Sequence, residues 1–219
     1  METLLEILSA SAEQNTNRLA VVESEAGIDY RSLQKNMVSL AARLDRAGVR
    51  HGDRVALLFP NSLEFVTTFL PIVHLGAIAA PLNHQCQRVD IIHILCACGV
   101  SLLVTSREFA SLCREALREQ GQDGSLFLLE GRQAFLAAET IPHGDFENRC
   151  DADLPATYLL SSGSTGTPKR VGRTHAALAC LAMSSSATQV SVVVPAYNAE
   201  STVADCVNSL LELHYPREQ

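Results

Sequence analysis

Hydrophobic positions along the chain switch between short continuous runs and a helical spacing. The continuous runs are typical of strands that are buried on both faces, and they cover residues 54–59, 78–81, 101–105, 125–129 and 157–160. Predicted helices lie among these runs and cover residues 30–47, 61–75, 90–98 and 108–119; the first has an apolar residue every three or four positions. This alternation predicts an α/β fold in which a mixed or parallel sheet is flanked by helices.

Several local signals predict where these elements begin and end. Gly48 is expected to terminate the helix over 30–47 from the position just after its end. Asn61 precedes Glu64 by three residues, which predicts a capping-box start for the next helix. A short helix is expected over 131–139, and the polar, turn-rich residues 140–155 are expected to form a surface connection.

Composition narrows the class of protein. The 219 residues are 47% hydrophobic and carry a formal net charge of −7, with no tryptophan, which argues against nucleic acid or an anionic membrane as a partner. No apolar run is long enough to span a bilayer, and the acidic first residues do not resemble a signal peptide. The seven cysteines show no disulfide spacing, so we expect reduced, buried thiols and a cytoplasmic location.

The most informative segment follows the apolar run at 157–160. Glycines there let backbone N–H groups approach an anion, hydroxyls add hydrogen-bond donors, and a lysine adds positive charge. This combination predicts a polyphosphate site. Its candidate residues are Ser161, Ser162, Gly163, Ser164, Thr165, Gly166, Thr167 and Lys169, with Pro168 between the last two.

Other interpretations of this segment are weaker. Only two residues separate Gly163 from Gly166, and Thr167 and Pro168 intervene before Lys169, so the segment is not a Walker A loop. It is also not a dinucleotide-binding GxGxxG. The G-x-S-x-G elbow of a serine hydrolase is also absent, because Gly163 to Gly166 is one residue too short. A flexible Gly/Ser connection remains the alternative without function.

The segment resembles the phosphate-binding signature of the adenylate-forming, or AMP-binding, superfamily, which includes acyl- and aryl-CoA ligases and nonribosomal peptide synthetase adenylation domains. Three further motifs resemble this family in the family's order: DYRSL at 29–33, GV at 48–49 with GDRVA at 52–56, and LGA at 75–77 with APLN at 80–83. The resemblance covers about residues 1–183, which would be a partial AMP-binding domain. Arg170 departs from the glycine that commonly follows the lysine in this family.

The resemblance implies ATP-dependent adenylation of a carboxylic acid, followed by capture of the acyl group by coenzyme A or a carrier-protein thiol. ATP and Mg²⁺ would be the cofactors, with Ser161 to Lys169 contacting the phosphates. In this family the adenine pocket, the acyl pocket and the C-terminal lid with its catalytic lysine all follow later in the chain. We therefore assign no catalytic residue and expect a truncated ligase that is inactive as this chain alone.

Residues 190–217 resemble the N-terminal strand and helix of family 2 glycosyltransferases. Pro195, Tyr197 and Glu200 would then contact a nucleotide-sugar donor, in a partial unit over 190–219 that a junction at 184–189 joins to the first. This chimeric organisation leaves open a glycosyltransferase fragment, a non-catalytic interaction remnant, or simply one extra strand and helix.

A metal site on the predicted helix at 90–98 is the remaining alternative. His93 and Cys96 lie three residues apart and share a helical face, but Cys98 points elsewhere. The spacing therefore favours packed thiols, and no metal ligand is assigned. His74 and His84 flank an apolar strand and are expected to be structural.

Overall fold

The computed structural model of the chain describes residues 3–23, 26–129, 150–161 and 169–183. The predicted helix at 131–139, most of the predicted connection at 140–155 and the predicted second unit at 190–219 lie outside these residues. The described part of the chain contains the following helices and strands in order: α1 (Leu4–Gln14), β1 (Leu19–Glu23), β2 (Ala26–Asp29), α2 (Tyr30–Arg46), β3 (Arg54–Leu58), α3 (Leu63–His74), β4 (Ile78–Leu82), α4 (Arg88–Cys98), β5 (Leu102–Ser106), a short 3₁₀ turn (Arg107–Phe109), α5 (Ala110–Glu119), β6 (Leu126–Leu129), β7 (Pro155–Ser161), β8 (Lys169–Thr174) and α6 (His175–Met183).

The main sheet has six strands in the order β6-β5-β3-β4-β7-β8. The neighbours from β6 to β7 pair in parallel, and β8 pairs antiparallel with β7. β1 and β2 form a separate antiparallel pair. The predicted α/β class with a mixed sheet is therefore confirmed.

Both faces of the central strands β3, β4 and β5 are buried, which explains their continuous apolar runs. In β3, Val55 and Leu57 belong to one buried cluster, and Ala56 and Leu58 belong to the other. The first cluster contains residues of α1, α2, α3 and α6, and the second contains residues of α4 and α5. The chain therefore forms helix, sheet and helix layers.

The end of α2 confirms the predicted role of Gly48. Its backbone φ is +98°, a left-handed value that favours glycine. Its N–H donates to the carbonyl of Asp45, and the N–H of Val49 donates to that of Leu44, both at 3.0 Å. These two bonds form a Schellman motif, which satisfies carbonyls that the helix end leaves unpaired.

Two turns that carry family-like motifs are bonded to each other at the amino ends of β3 and β4. The N–H of Gly52 donates to the carbonyl of Gly76 at 2.8 Å, and the N–H of Ile78 donates to the carbonyl of Asp53 at 2.7 Å. These motifs therefore hold adjacent strands in register, away from the carboxyl edge of the sheet.

The start of α3 differs from the prediction. Ser62, and not Asn61, caps the helix, because the Ser62 side chain accepts the N–H of Phe65 at 3.3 Å. The Glu23 carboxylate on β1 accepts the N–H of Leu63 at 3.1 Å. The helix therefore begins one residue later than predicted, and its first N–H is bonded to a side chain of β1.

None of the helices in the described ranges combines the length and apolar character that crossing a membrane requires.

Candidate functional site

The segment that carries the predicted phosphate residues starts and ends at one edge of the sheet. β7 runs parallel to β4 and ends at Ser161, and β8 begins at Lys169, directly opposite Ser161 in the antiparallel register. Ser161 and Lys169, which flank residues 162–168, therefore lie where β3, β4 and β5 also have their carboxyl ends. This is the edge at which parallel α/β sheets commonly bind ligands.

The structure places only part of the predicted site. The backbones of Ser161 and Lys169 form the last recorded pair of the β7–β8 hairpin. The other predicted phosphate residues lie outside the described residues: Ser162, Gly163, Ser164, Thr165, Gly166 and Thr167. The three predicted nucleotide-sugar residues also lie outside them: Pro195, Tyr197 and Glu200.

The sequence interpretation missed the strand that follows the segment. β8 contains four polar or charged residues, Lys169, Arg170, Arg173 and Thr174, so its composition does not indicate a buried strand. Its pairing with β7 over residues 155–161 makes it a strand. Its local sequence offered no strand signal, because Gly172 is disfavoured within strands and its place opposite Tyr158 is known only from the register.

Arg170 has a defined partner in this hairpin. Its guanidinium carbon lies 4.5 Å from the centroid of the Tyr158 ring, within the range of a cation–π contact. A Cβ at Gly172 would lie 3.3 Å from the same ring, so glycine leaves the ring its space. Arg170 therefore braces the hairpin through Tyr158, where this chain departs from the family's usual glycine.

The first turn of α6 is bonded to the residues that precede β7. The N–H groups of His175 and Ala176 donate to the carbonyls of Leu154 and Ala152, at 3.1 and 2.9 Å. The N–H of Ala177 donates to the hydroxyl of Thr174 at 3.2 Å. The residues before β7 and the last residue of β8 are thereby both bonded to the first turn of α6.

His175 is buried at this base, with 1% of its surface exposed. Its Nδ1 has no hydrogen-bond partner among the described residues. Burial lowers the pKa of His175, because the charged imidazolium would lose its hydration, and the nearby His51 lowers it further. The Asp151 carboxylate opposes this change but does not reverse it.

The buried His175 predicts that the free energy of unfolding falls on mild acidification. Its pKa is lower in the folded state, so the unfolded state takes up the proton first as the pH falls below about 6.5. Stability should be complete above that pH and should fall by at most about 1.4 kcal/mol per pH unit below it, until the folded-state pKa is passed. Urea unfolding between pH 7 and pH 5 measures this slope.

His175→Gln should flatten the slope between pH 6.5 and 5, and His84→Gln, at an exposed position, should leave it unchanged. Two carboxyl groups also titrate at a shifted pH. Hydrogen bonds from the N–H and hydroxyl of Thr3 lower the pKa of Glu6, and hydrogen bonds from Ser32 lower the pKa of Asp29. Their contributions to stability are therefore lost as the pH falls through and below the usual carboxyl range, which lies below the window from pH 6.5 to 5. An unchanged slope in His175→Gln would contradict the assignment.

The described cysteines are all free, and three of them match the expectation of buried thiols: Cys86, Cys98 and Cys113. Burial raises the pKa of Cys86 to about 11 and of Cys113 to about 12, so neither forms much thiolate at neutral pH. The prediction is wrong for Cys96 and Cys180, which are exposed.

The spacing argument against a metal site on α4 agrees with the placement of its side chains. His93 and Cys96 are exposed, whereas Cys98 is buried in the core. Across the described ranges, no three His, Cys, Asp or Glu side chains are grouped so that they could hold a metal ion. His74 is buried, as a structural role requires, and His84 is exposed.

The arrangement defines the class of protein: an α/β domain with a Gly/Ser/Thr-rich segment at the carboxyl edge of its parallel strands. The family model of the AMP-binding enzymes matches residues 8–211, and the chain belongs to this family. The match continues past the predicted junction at 184–189 and into the segment interpreted as glycosyltransferase-like.

Individual relatives share about a quarter to a third of their aligned residues with this chain, as the 27% and 30% identities show. The chain is 27% identical over 215 residues to the probable CoA ligase CCL9 of Humulus lupulus, covering 92% of this chain and 41% of that protein. It is 30% identical over 172 residues to triostin synthetase I of Streptomyces triostinicus, covering 78% of this chain and 33% of that protein. The chain thus spans less than half the length of these two relatives.

A solved structure shares the fold. The N-terminal subdomain of Klebsiella oxytoca NpsA, in complex with 3-hydroxyanthranilyl-AMSN, has a TM-score of 0.69 and 26% sequence identity. The superposition covers 84% of this chain and 43% of that one. The fold is therefore that of the N-terminal subdomain of adenylate-forming enzymes.

Proposed function

We propose that residues 161–169 hold the phosphates of ATP for the adenylation of a carboxylic acid. The observation that carries this proposal is the register of Ser161 opposite Lys169, at the carboxyl edge of the parallel strands. Ser161 and Lys169 flank the segment at the edge where parallel α/β sheets commonly bind ligands. Membership of the AMP-binding family supports ATP as the ligand.

The donor set of the segment suits a polyphosphate. Glycine N–H groups at 163 and 166, hydroxyls at Ser164 and Thr165, and the Lys169 ammonium are all donors, and none of them is an anion. Bound Mg²⁺ would neutralise the charge of the phosphate oxygens. The residues of this chain would orient the triphosphate so that pyrophosphate leaves as the acid is adenylated, a role of positioning and electrostatic stabilisation.

The names of the relatives support a thiol as the second acceptor. One is a probable CoA ligase, and another is triostin synthetase I. Coenzyme A and a carrier-protein thiol are both consistent with these names, and each would accept the acyl group from the adenylate with release of AMP. The acid is not assigned.

We expect the 219-residue chain alone to bind Mg-ATP weakly and to catalyse no adenylation. The measurement is acid-dependent exchange of labelled pyrophosphate into ATP by the pure protein, with Mg-ATP binding followed in parallel by isothermal calorimetry. Weak binding without exchange is the expected result. Exchange above a heat-denatured control would contradict the expected inactivity, and absence of any binding would contradict the phosphate assignment.

The glycosyltransferase-like interpretation of residues 190–217 stays a prediction. Binding of a nucleotide sugar that is lost in Glu200→Ala, while Mg-ATP binding is retained, would support it. No binding of UDP- or GDP-sugars by the full chain would contradict it.

A further inference from the structure

Two buried threonines make the same kind of bond between neighbouring parallel strands. The Thr157 hydroxyl on β7 donates to the carbonyl of Ala79 on β4 at 2.8 Å. The Thr105 hydroxyl on β5 donates to the carbonyl of Leu58 on β3 at 2.6 Å. Both threonines are 0% exposed, so neither hydroxyl could bond to water instead.

These bonds differ in what they hold together. β3 pairs with β5 at successive positions from Val55 to Leu58, so the Thr105 bond is added to an extended ladder. Among the described residues, β4 and β7 pair at Ala79 with Thr157. Beyond Thr157, the described part of β7 pairs with β8, along residues 157–161. The Thr157 hydroxyl therefore lies at the point where the β7–β8 hairpin is hydrogen-bonded to the central sheet.

The far end of the hairpin carries the predicted phosphate segment, so the position of that segment depends on how the hairpin is held at Thr157. Ser161 lies four residues beyond Thr157 in β7, and Lys169 is opposite Ser161. The Arg170–Tyr158 contact braces the hairpin within itself, and the bonds of α6 tie its base. Of these contacts, the Thr157 bond is the one that joins the middle of β7 to β4.

We propose that Thr157 is a positioning residue whose hydroxyl fixes the phosphate-segment hairpin against the central parallel sheet. The naming of the segment's ligand rests on the proposed function, whereas the anchoring is a property of the fold. A net hydrogen bond of ordinary strength that acts locally corresponds to about a tenfold change in local opening.

The test compares amide hydrogen exchange in the full chain for wild type, Thr157→Val, Thr157→Ser and Thr105→Val. The amides followed are those of residues 158–161 and 169–173 in the hairpin and 55–58 in β3. Thr157→Val retains the side-chain shape but removes the donor, and Thr157→Ser retains the donor. Thr105→Val removes the same kind of bond from a strand pair that does not lead to the segment.

We expect Thr157→Val to speed exchange in the hairpin about tenfold more than in β3, with Thr157→Ser within about twofold of wild type. Thr105→Val should speed exchange in the hairpin no more than in β3. The proposal is overturned if Thr157→Val changes hairpin and β3 amides equally, if it changes neither, or if Thr105→Val reproduces its pattern. If Thr157→Val does not fold, Thr157→Ser and Thr157→Ala give the same comparison, because they differ only in the hydroxyl.

Binding of Mg-ATP separates this proposal from the proposed function. If the hairpin exchange behaves as expected while wild type binds no Mg-ATP, the anchoring role stands and the phosphate assignment fails. If wild type binds Mg-ATP, Thr157→Val should weaken that binding, and Thr157→Ser should restore it.

Discussion

Leu57→Ala is expected to lower the free energy of unfolding by about 2–5 kcal/mol, the range measured when a buried leucine loses three carbons. Leu57 is 0% exposed in the central strand β3, where it pairs with Pro81 on β4 and Val104 on β5. Both neighbouring strands prevent the backbone from collapsing into the space that the side chain vacates. Urea unfolding followed by circular dichroism measures the loss.

Leu19→Ala is the matched control, because it removes the same atoms from a side chain that is 61% exposed. It should change stability by no more than about 0.5 kcal/mol. A loss below about 1 kcal/mol in Leu57→Ala would mean that the helices do not cover the face of the sheet on which Leu57 lies as described.

The central part of the fold could be predicted because its signals are local. β3, β4 and β5 are buried on both faces, so each is a continuous apolar run. Of the helices between them, α4 has one buried side, whereas α3 is buried on nearly all sides. Gly48 could be identified as a helix terminator since the left-handed turn that it adopts favours one residue type. These features require no knowledge of distant partners.

The elements that were missed depend on other information. α1 was overlooked because its residues were considered only as a targeting signal, although Thr3 and Glu6 form a capping box that indicates a helix start. β8 is charged and exposed, so only its register with β7 makes it a strand. The start of α3 was misplaced by one residue, because Ser62, and not Asn61, provides the capping side chain.

The candidate site shows the same division. The residue types of 161–169 predicted phosphate chemistry, since hydroxyls, glycines and lysine in one segment are a chemical signal. The contacts that position the segment are not encoded nearby: Thr157 bonds to Ala79, and Arg170 stacks on a ring in the preceding strand. Positioning residues of this kind become visible only when the strand register is known.

Lys169→Ala is expected to weaken Mg-ATP binding by about 10- to 150-fold, while the fold is retained. A charge-assisted hydrogen bond to phosphate is worth about 1.5–3 kcal/mol, which corresponds to that range. Retention of the fold is expected because Lys169 pairs with Ser161 through its backbone, which alanine preserves. Calorimetric titration with Mg-ATP at fixed ionic strength measures the change.

Arg170→Ala provides the control, since it removes one positive charge at the adjacent residue, from a guanidinium that stacks on Tyr158. If Lys169 contacts a phosphate, its loss should weaken binding at least fivefold more than the loss of Arg170. This margin is expected because exposed charges that act only at a distance are screened by salt, whereas a direct contact is not. Equal losses in the two variants would mean that the hairpin attracts ATP only by its net charge, and the assignment of Lys169 to the phosphates would be wrong.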